Sequence, residues 1–362
     1  MSLFEHIKDR KHYGIILENG RSGDWDSGSA TFCSIFVDRD EPKKIHLFYS
    51  GACDKEWSHA AIGLATSLDG IHFRKSRDNP VLVGPPDSFC AKEAVTPAVT
   101  RINDNYYMVL AGKPTENSQR RIGIACAEAP KGPWKILGQL IEPKKSWEGS
   151  EVDCGPSILT NGNSILFYYS NCLSTRGQVI VNWLRNPSFI KPFSLHPPFE
   201  PSLCYTIRRI GIGKVEITAI KTSKMRVSRF PDSPLQHLNG NIGSWNESLF
   251  CPGYLTFLNK HFLFPATSTY SIGFPYQQYI GAVESINPFF KKNECNQICI
   301  LIDGPKEKKQ IMPSIKREIA LDTPSPLLRN GKLHLYYSVM DRGERVWKIV
   351  LTLYNLKNST LK

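Results

Sequence analysis

No apolar run in the sequence approaches the roughly 18–20 residues needed to cross a bilayer as a helix, so no membrane span is expected. The stretch from Met1 to Leu17 carries Glu5, Lys8, Asp9, Arg10 and Lys11 and lacks both an apolar centre and a small-residue cleavage site. It does not read as a secretory leader, and a cytoplasmic protein is expected. Helical heptads and long amphipathic stretches are missing too, which argues against a helical domain. The ten cysteines are scattered, and Cys295 and Cys299 are the closest pair. Neither a second pair nor a nearby histidine completes a zinc set. Cys33, Cys126, Cys154, Cys172, Cys251 and Cys299 lie in or beside apolar stretches and read as buried thiols. There is no P-loop, no H-E-x-x-H and no nucleophile elbow, and Gly211-Ile212-Gly213 lacks the third glycine of a dinucleotide loop. No cofactor is expected, and no metal ligands are named.

What is present begins with charge. The 362 residues are 41% hydrophobic and 22% charged, which suits a folded chain, and the net charge is +12. Residues 208–229 hold seven Lys/Arg and one Glu, and residues 291–317 hold seven Lys/Arg and three acids. Such surpluses attract anions, and a solvated surface is the plainer reading of both. Nucleic acid and membrane are not expected partners.

The strongest signal is internal repetition. An apolar-aromatic strand ending in a small or polar residue occurs as Ile45-His46-Leu47-Phe48-Tyr49-Ser50-Gly51. It returns at Tyr106–Gly112, Ile165–Asn171, His261–Thr267 and Leu333–Val339, making five copies. Before each copy stands another apolar strand, anchored by Pro97, Pro156, Pro252 and Pro326, with Phe32 in the matching place of the first. A third strand follows, as in Ala61–Ser67 and Ile122–Ala127, then a turn and a fourth strand holding Phe73 or Trp134. Four antiparallel strands repeated five times predict an all-β fold, a five-bladed β-propeller. His12–Leu17 resembles the end of a fourth strand, so the N-terminal strand is expected to close the last blade and remove a free edge. Residues 1–362 are read as one propeller domain. Val215–Ile220 reads as the third strand of blade 3 and Met225–Phe230 as its fourth, leaving an insertion at 172–214 that overhangs one face.

In such a blade, residues just ahead of the innermost strand converge on the axis. These places are acidic in every repeat: Asp24-Trp25-Asp26, Lys92-Glu93, Trp147-Glu148 with Glu151 and Asp153, Trp245-Asn246-Glu247, and Asp322. Carboxyls held close raise one another's pKa and so separate an acid from a base. Trp25, Trp147 and Trp245 accompany them, and Trp57, Tyr270, Phe274 and Tyr276 lie in loops of the same face. Aromatic faces beside carboxyls suit a sugar; packing between blades is the alternative for the tryptophans. The insertion brings Arg176, Tyr205, Arg208, Arg209 and Lys214, whose arginine forks suit a phosphate or carboxylate.

The repeats resemble the five-bladed propeller glycosidases: glycoside hydrolase families 43, 32 and 68, and the family 130 mannoside phosphorylases. The likeness is carried by Ile62-Gly63-Leu64-Ala65-Thr66-Ser67-Leu68-Asp69-Gly70-Ile71-His72-Phe73, by Asn79-Pro80-Val81-Leu82, and by Gly132-Pro133-Trp134. It implies a glycosidic bond cleaved in an axial funnel by three carboxyls, one from each of the first three blades. Carried over, Asp26 (or Asp24) is the base, Glu93 orients the sugar or tunes a neighbour's pKa, and Glu151 or Asp153 is the acid. Glu247 and Asp322 then bind hydroxyls, and inversion needs acid and base about 6.5–9.5 Å apart. Those families place an acid directly before the anchoring proline. Here Thr31, Thr96, Gly155, Cys251 and Ser325 stand there. The expected function is a glycoside hydrolase acting on an oligosaccharide or glycoside. A phosphorylase holding inorganic phosphate on Arg176, Arg208, Arg209, Lys92 or Lys214, and a non-catalytic binding propeller, stay open, as does a single axial cation.

Overall fold

The computed structural model describes residues 3–54, 57–172, 207–217, 227–241, 243–269, 277–304, 321–340 and 346–357. Arg176, Tyr205 and Tyr276 lie outside the described residues. The chain enters through β1 (Ile7–Leu17). Blade 1 is β2 (Ser29–Val37), β3 (Ile45–Ala52), β4 (Ala60–Ser67) and the short β5 (Arg74–Lys75). Blade 2 is β6 (Glu93–Ile102), β7 (Asn105–Lys113), β8 (Arg121–Ala127) and β9 (Lys135–Ile141). Blade 3 is β10 (Val152–Asn161), β11 (Ser164–Asn171), β12 (Ile210–Glu216) and β13 (Val227–Arg229). Blade 4 is β14 (Ser248–Phe257), β15 (Lys260–Ser268), β16 (Gln278–Ser285) and β17 (Cys295–Asp303). Blade 5 is β18 (Leu321–Arg329), β19 (Lys332–Met340) and β20 (Trp347–Leu356), with β1 as its outer strand. The chain is a five-bladed β-propeller, closed as the sequence predicts, with His12 of β1 opposite Thr352 of β20. Among the described residues no helix is long and apolar enough to cross a membrane.

The second strand of each blade is apolar on both sides because it packs on a neighbouring blade on each. All eight residues of β3 and of β11 are buried, which explains continuous aromatic-apolar runs in place of alternation. Each blade junction has its own cluster. Phe48 and Ile62 meet Met108 and Leu110 between blades 1 and 2, and Val109 and Ile124 meet Ile165 and Phe167 between 2 and 3. Leu166 and Ile212 meet Leu263 and Val283, Phe262 and Ile280 meet Leu335 and Val350, and Tyr336 and Leu351 meet Leu47 and Tyr49 around the rest of the ring.

Every innermost strand carries an irregularity at the same depth, between Thr31 and Ser34, Val95 and Ala98, Cys154 and Ile158, Phe250 and Gly253, and Asp322 and Ser325. Phe32, Thr96, Cys251 and Thr323 adopt positive φ there, between 43° and 52°. The serine ending the preceding blade's second strand often satisfies the freed N–H. Ser50 accepts from Thr96 at 3.0 Å, Ser170 from Cys251 at 3.3 Å and Ser338 from Phe32 at 2.8 Å. Blades 2 and 4 have Ala111 and Ala266 at that place, and Thr323 instead donates to its neighbour Asp322.

Two expectations about boundaries are corrected. The third strand of blade 3 starts at Ile210, not Val215, so residues 210–214 belong to the sheet and not to an insertion. The reason is a glycine device common to third strands. A Cβ on Gly63 would stand 2.5 Å from the Tyr49 ring, on Gly211 2.4 Å from the Trp147 ring, and on Gly281 2.7 Å from the Trp245 ring. Gly211 and Gly213 are therefore packing glycines of a strand. The anchoring prolines are also misaligned: by φ and register, Cys33 and Pro324 match Pro97 and Pro252, where the sequence reading chose Phe32 and Pro326.

Candidate functional site at the axial mouth

The bulges bring five positions to equivalent places around the axis, each opposite the sixth residue of the apolar-aromatic repeat in its neighbouring strand: Thr31, Val95, Asp153, Phe250 and Asp322. Blades 3 and 5 alone put acids there. Two residues earlier on the same side stand Glu93 and Glu151. These four carboxyls share three cations. Arg120 donates Nη1 to Asp153 at 2.6 Å and Nε to Glu93 at 2.9 Å. Lys113 lies 2.9 Å from Glu151 and 3.9 Å from Glu93. Arg208 donates Nη2 to Asp153 at 2.9 Å and Nε to the Asn171 carbonyl at 2.8 Å, with its guanidinium 4.3 Å above the Phe250 ring.

Electrostatics divides the set. Burial pushes the Asp153 carboxyl up, but Arg120 and Arg208 outweigh it and hold it below the usual carboxylate range. Asp322 has no such pair. Burial raises it to about 6, with Asp153 pushing in the same direction and Arg208 pulling back. Asp322 is part-exposed, whereas Glu93, Glu151, Asp153 and Arg208 are buried. Burial opposes the charge on Arg120, yet Asp153 and Glu93 keep it firmly protonated.

The structure does not bring Asp26 to this group. Its Oδ2 accepts the Tyr49 hydroxyl at 2.9 Å and the Lys75 ammonium at 2.6 Å, inside blade 1. Glu148 repeats that arrangement in blade 3, accepting Tyr169 at 2.8 Å and Arg229 at 2.6 Å. A carboxylate already spent on a cation from its own blade is poorly placed to activate water for another. The tryptophans ahead of these acids are packing residues: Trp25 lies 5.7 Å from Tyr49, Trp147 5.4 Å from Tyr169 and Trp245 6.1 Å from Tyr279, each against its strand glycine. Asp24 is exposed and accepts the Arg21 N–H in a turn at 2.7 Å, and Glu247 accepts the Gly243 N–H at 3.0 Å. Lys92 pairs with Glu116 at 3.8 Å. Arg209 points its backbone N–H at Asn171. Trp57 packs on Phe32, 5.5 Å between ring centroids.

Reading the sequence alone missed Lys113 and Arg120. The pentapeptide Arg-Arg-Ile-Gly-Ile occurs at 120–124 and again at 208–212, and its first arginine grips Asp153 both times. That repeat was the signal. Among the described residues no three His, Cys, Asp or Glu side chains converge as a metal set.

The sequence matches no family profile and no curated protein. Solved structures do resemble it. A glycoside hydrolase superposes with a TM-score of 0.63 at 11% identity, over 99% of this chain and 95% of that one. A family 117 glycoside hydrolase of Zobellia galactanivorans gives 0.56 at 12%, over 99% and 93%. An arabinanase of Bacillus subtilis gives 0.52 at 14%, over 94% and 96%. At such identities the likeness is one of fold: the chain is built on the same five-bladed propeller as these glycosidases.

Proposed function

We propose that the chain is a glycoside hydrolase working at the axial mouth, with Asp322 as proton donor and Glu151 as the carboxylate that activates water. One observation carries the reading: Asp322 is a part-exposed carboxyl raised to about 6, beside a group of carboxyls held by cations. A leaving oxygen needs a protonated donor near working pH, and burial supplies it. Asp153, gripped by two arginines, is a poor donor, so the acid assigned by resemblance moves from blade 3 to blade 5. Glu151 has one cation, Lys113, where Glu93 and Asp153 share Arg120. Arg208 serves Asp153, which removes it from the arginines that a phosphorylase would spend on phosphate.

The test is a panel of aryl glycosides and oligosaccharides, with and without phosphate. Arabino-oligosaccharides come first, because a structural neighbour is an arabinanase complexed with arabinohexaose. Turnover without phosphate, lost in Asp322→Asn and in Glu151→Gln, supports the reading. Full turnover in Asp322→Asn overturns the donor, and turnover only with phosphate overturns hydrolysis.

A further inference from the structure

The residue after the last regular pair of each innermost strand is Thr96, Gly155, Cys251 and Thr323 in four blades, and Phe32 in the first. The fold accepts a small side chain at this place, so the phenyl ring is not required by the blade. Its ring centroid lies 5.5 Å from that of Trp57 and 5.9 Å from that of Trp347. All three residues are part-exposed. Trp347 stands two residues ahead of Ile349, the place that Arg120 and Arg208 hold ahead of Ile122 and Ile210. The ring position that supplies arginine to the site in blades 2 and 3 therefore supplies an indole in blade 5.

Trp57 adds an independent departure. Its φ is 60°, a left-handed backbone that costs a bulky residue roughly 1–3 kcal/mol. Among the described residues, the matching loop of blade 2, residues 114–120, holds no such backbone. The three rings adjoin the proposed donor. The Phe32 N–H meets Ser338 Oγ at 2.8 Å, Ser338 is the cross-strand partner of Asp322, and the Cys33 thiol donates to the Thr323 carbonyl at 3.7 Å.

We infer that Phe32, Trp57 and Trp347 form an aromatic platform that receives the C–H face of a neutral sugar ring beside Asp322 and sets which sugar the site accepts. An aromatic face offers no hydrogen bonds but a broad, desolvated surface. A sugar ring with one face free of axial hydroxyls matches it, while the charged blades opposite meet the equatorial hydroxyls. A sugar with axial hydroxyls on both faces would lose water there without replacement bonds. The inference rests on the proposed glycoside chemistry for its ligand class.

Two substitutions test it without threatening the fold. Phe32→Thr installs the residue that blades 2 and 5 already carry. Trp57→Gly removes the ring and relieves the left-handed backbone. Both are expected to fold with a lowered melting temperature, because Phe32 and Trp57 also pack against the core cluster of blades 2 and 3, so kinetics are compared per folded molecule. On whichever methyl glycoside or oligosaccharide of arabinose, xylose, glucose, galactose or mannose the wild type turns over, each is expected to raise KM roughly tenfold with kcat nearly unchanged. Folded variants with unchanged KM, or a loss confined to kcat, overturn the platform while leaving the hydrolase reading intact. Titration of the same sugars by tryptophan fluorescence separates the two ideas. A wild-type signal that Phe32→Thr abolishes, with no turnover, keeps the platform and overturns hydrolysis. Neither turnover nor signal in the wild type overturns both.

Discussion

Asp26 and Glu148 differ from Asp153 and Asp322 in one respect that their positions in the sequence conceal, namely which way they face. The first two turn into their own blades and find a tyrosine from the second strand and a cation from the fourth. The second two turn to the axis, where charged groups of neighbouring blades join those of their own. A carboxyl facing inward to a blade becomes a strut, with its charge consumed locally. One facing the axis becomes part of a shared titrating set. Within that set, the member with fewest direct cation contacts has the proton affinity that acid catalysis uses.

The largest expected effect follows from Asp322. Asp322→Asn should lower turnover by roughly 10²–10⁴-fold, the usual worth of general acid catalysis. Wild-type turnover should fall as pH rises through about 6, where Asp322 loses its proton. Wild-type stability should fall over the same rise in pH. A carboxyl whose folded pKa is raised from 3.8 contributes stability below that value and loses it by about 6. The asparagine variant should therefore gain on the wild type across that window, approaching about 3 kcal/mol at 1.36 kcal/mol per pKa unit. Thermal melts at pH 4 and pH 7.5 measure this. A variant less stable than wild type at both would show that Asp322 is a strut as well.

The struts should give the reverse pattern. Asp26→Ala leaves Lys75 inside blade 1 without its partner, and Glu148→Ala does the same to Arg229. Each should cost about 3 kcal/mol, at the low end for a buried pair because Lys75 and Arg229 keep 28% and 23% of their side chains exposed. Turnover per folded molecule should not change. A folded Asp26→Asn protein without activity would return Asp26 to the site and erase the contrast between the two kinds of carboxyl.

The blades were legible because second strands are buried on both faces and write their burial as aromatic-apolar runs. Which way each acid faces was not legible from its place ahead of an innermost strand. The clue was in the partners: tryptophan-acid at 25–26 and 147–148 accompanies a tyrosine at the fifth place of the next apolar-aromatic repeat, Tyr49 and Tyr169. The proline anchors misled in blades 1 and 5 because the bulge needs a positive φ, which Phe32 and Thr323 adopt without a proline at 32 or 326 being aligned to it. In blade 3 the glycines at 211 and 213 looked like a failed nucleotide loop, when each was making room for an aromatic ring.

That close approach makes a middle-sized prediction. Gly63→Ala would set a Cβ 2.5 Å from the Tyr49 ring and 2.8 Å from Trp25. Forcing these rings aside should cost roughly 1–3 kcal/mol. Because Tyr49 also holds Asp26, the loss should be partly non-additive with Asp26→Ala in a double-mutant cycle. Strict additivity would mean that the tryptophan-glycine contact and the carboxylate strut are separate devices.

The smallest effects sharpen the comparison most, because they test the same bond at two places. Ser50 accepts the Thr96 N–H at 3.0 Å, and Ser338 accepts the Phe32 N–H at 2.8 Å. Ser50→Ala should cost about 1 kcal/mol, one hydrogen bond to a buried amide, and leave turnover alone. Blades 2 and 4 already live with alanine at this place. Ser338→Ala removes the corresponding bond and also the 3.1 Å contact with the Thr323 hydroxyl, directly across the strand pair from Asp322. Its stability cost should be similar, but the pH at which turnover declines should move, because the backbone that donates to Asp322 is no longer held. Equal pH profiles for the two alanine variants would mean that Asp322 is positioned by its own strand alone and that the axial set is less tightly coupled than its geometry suggests.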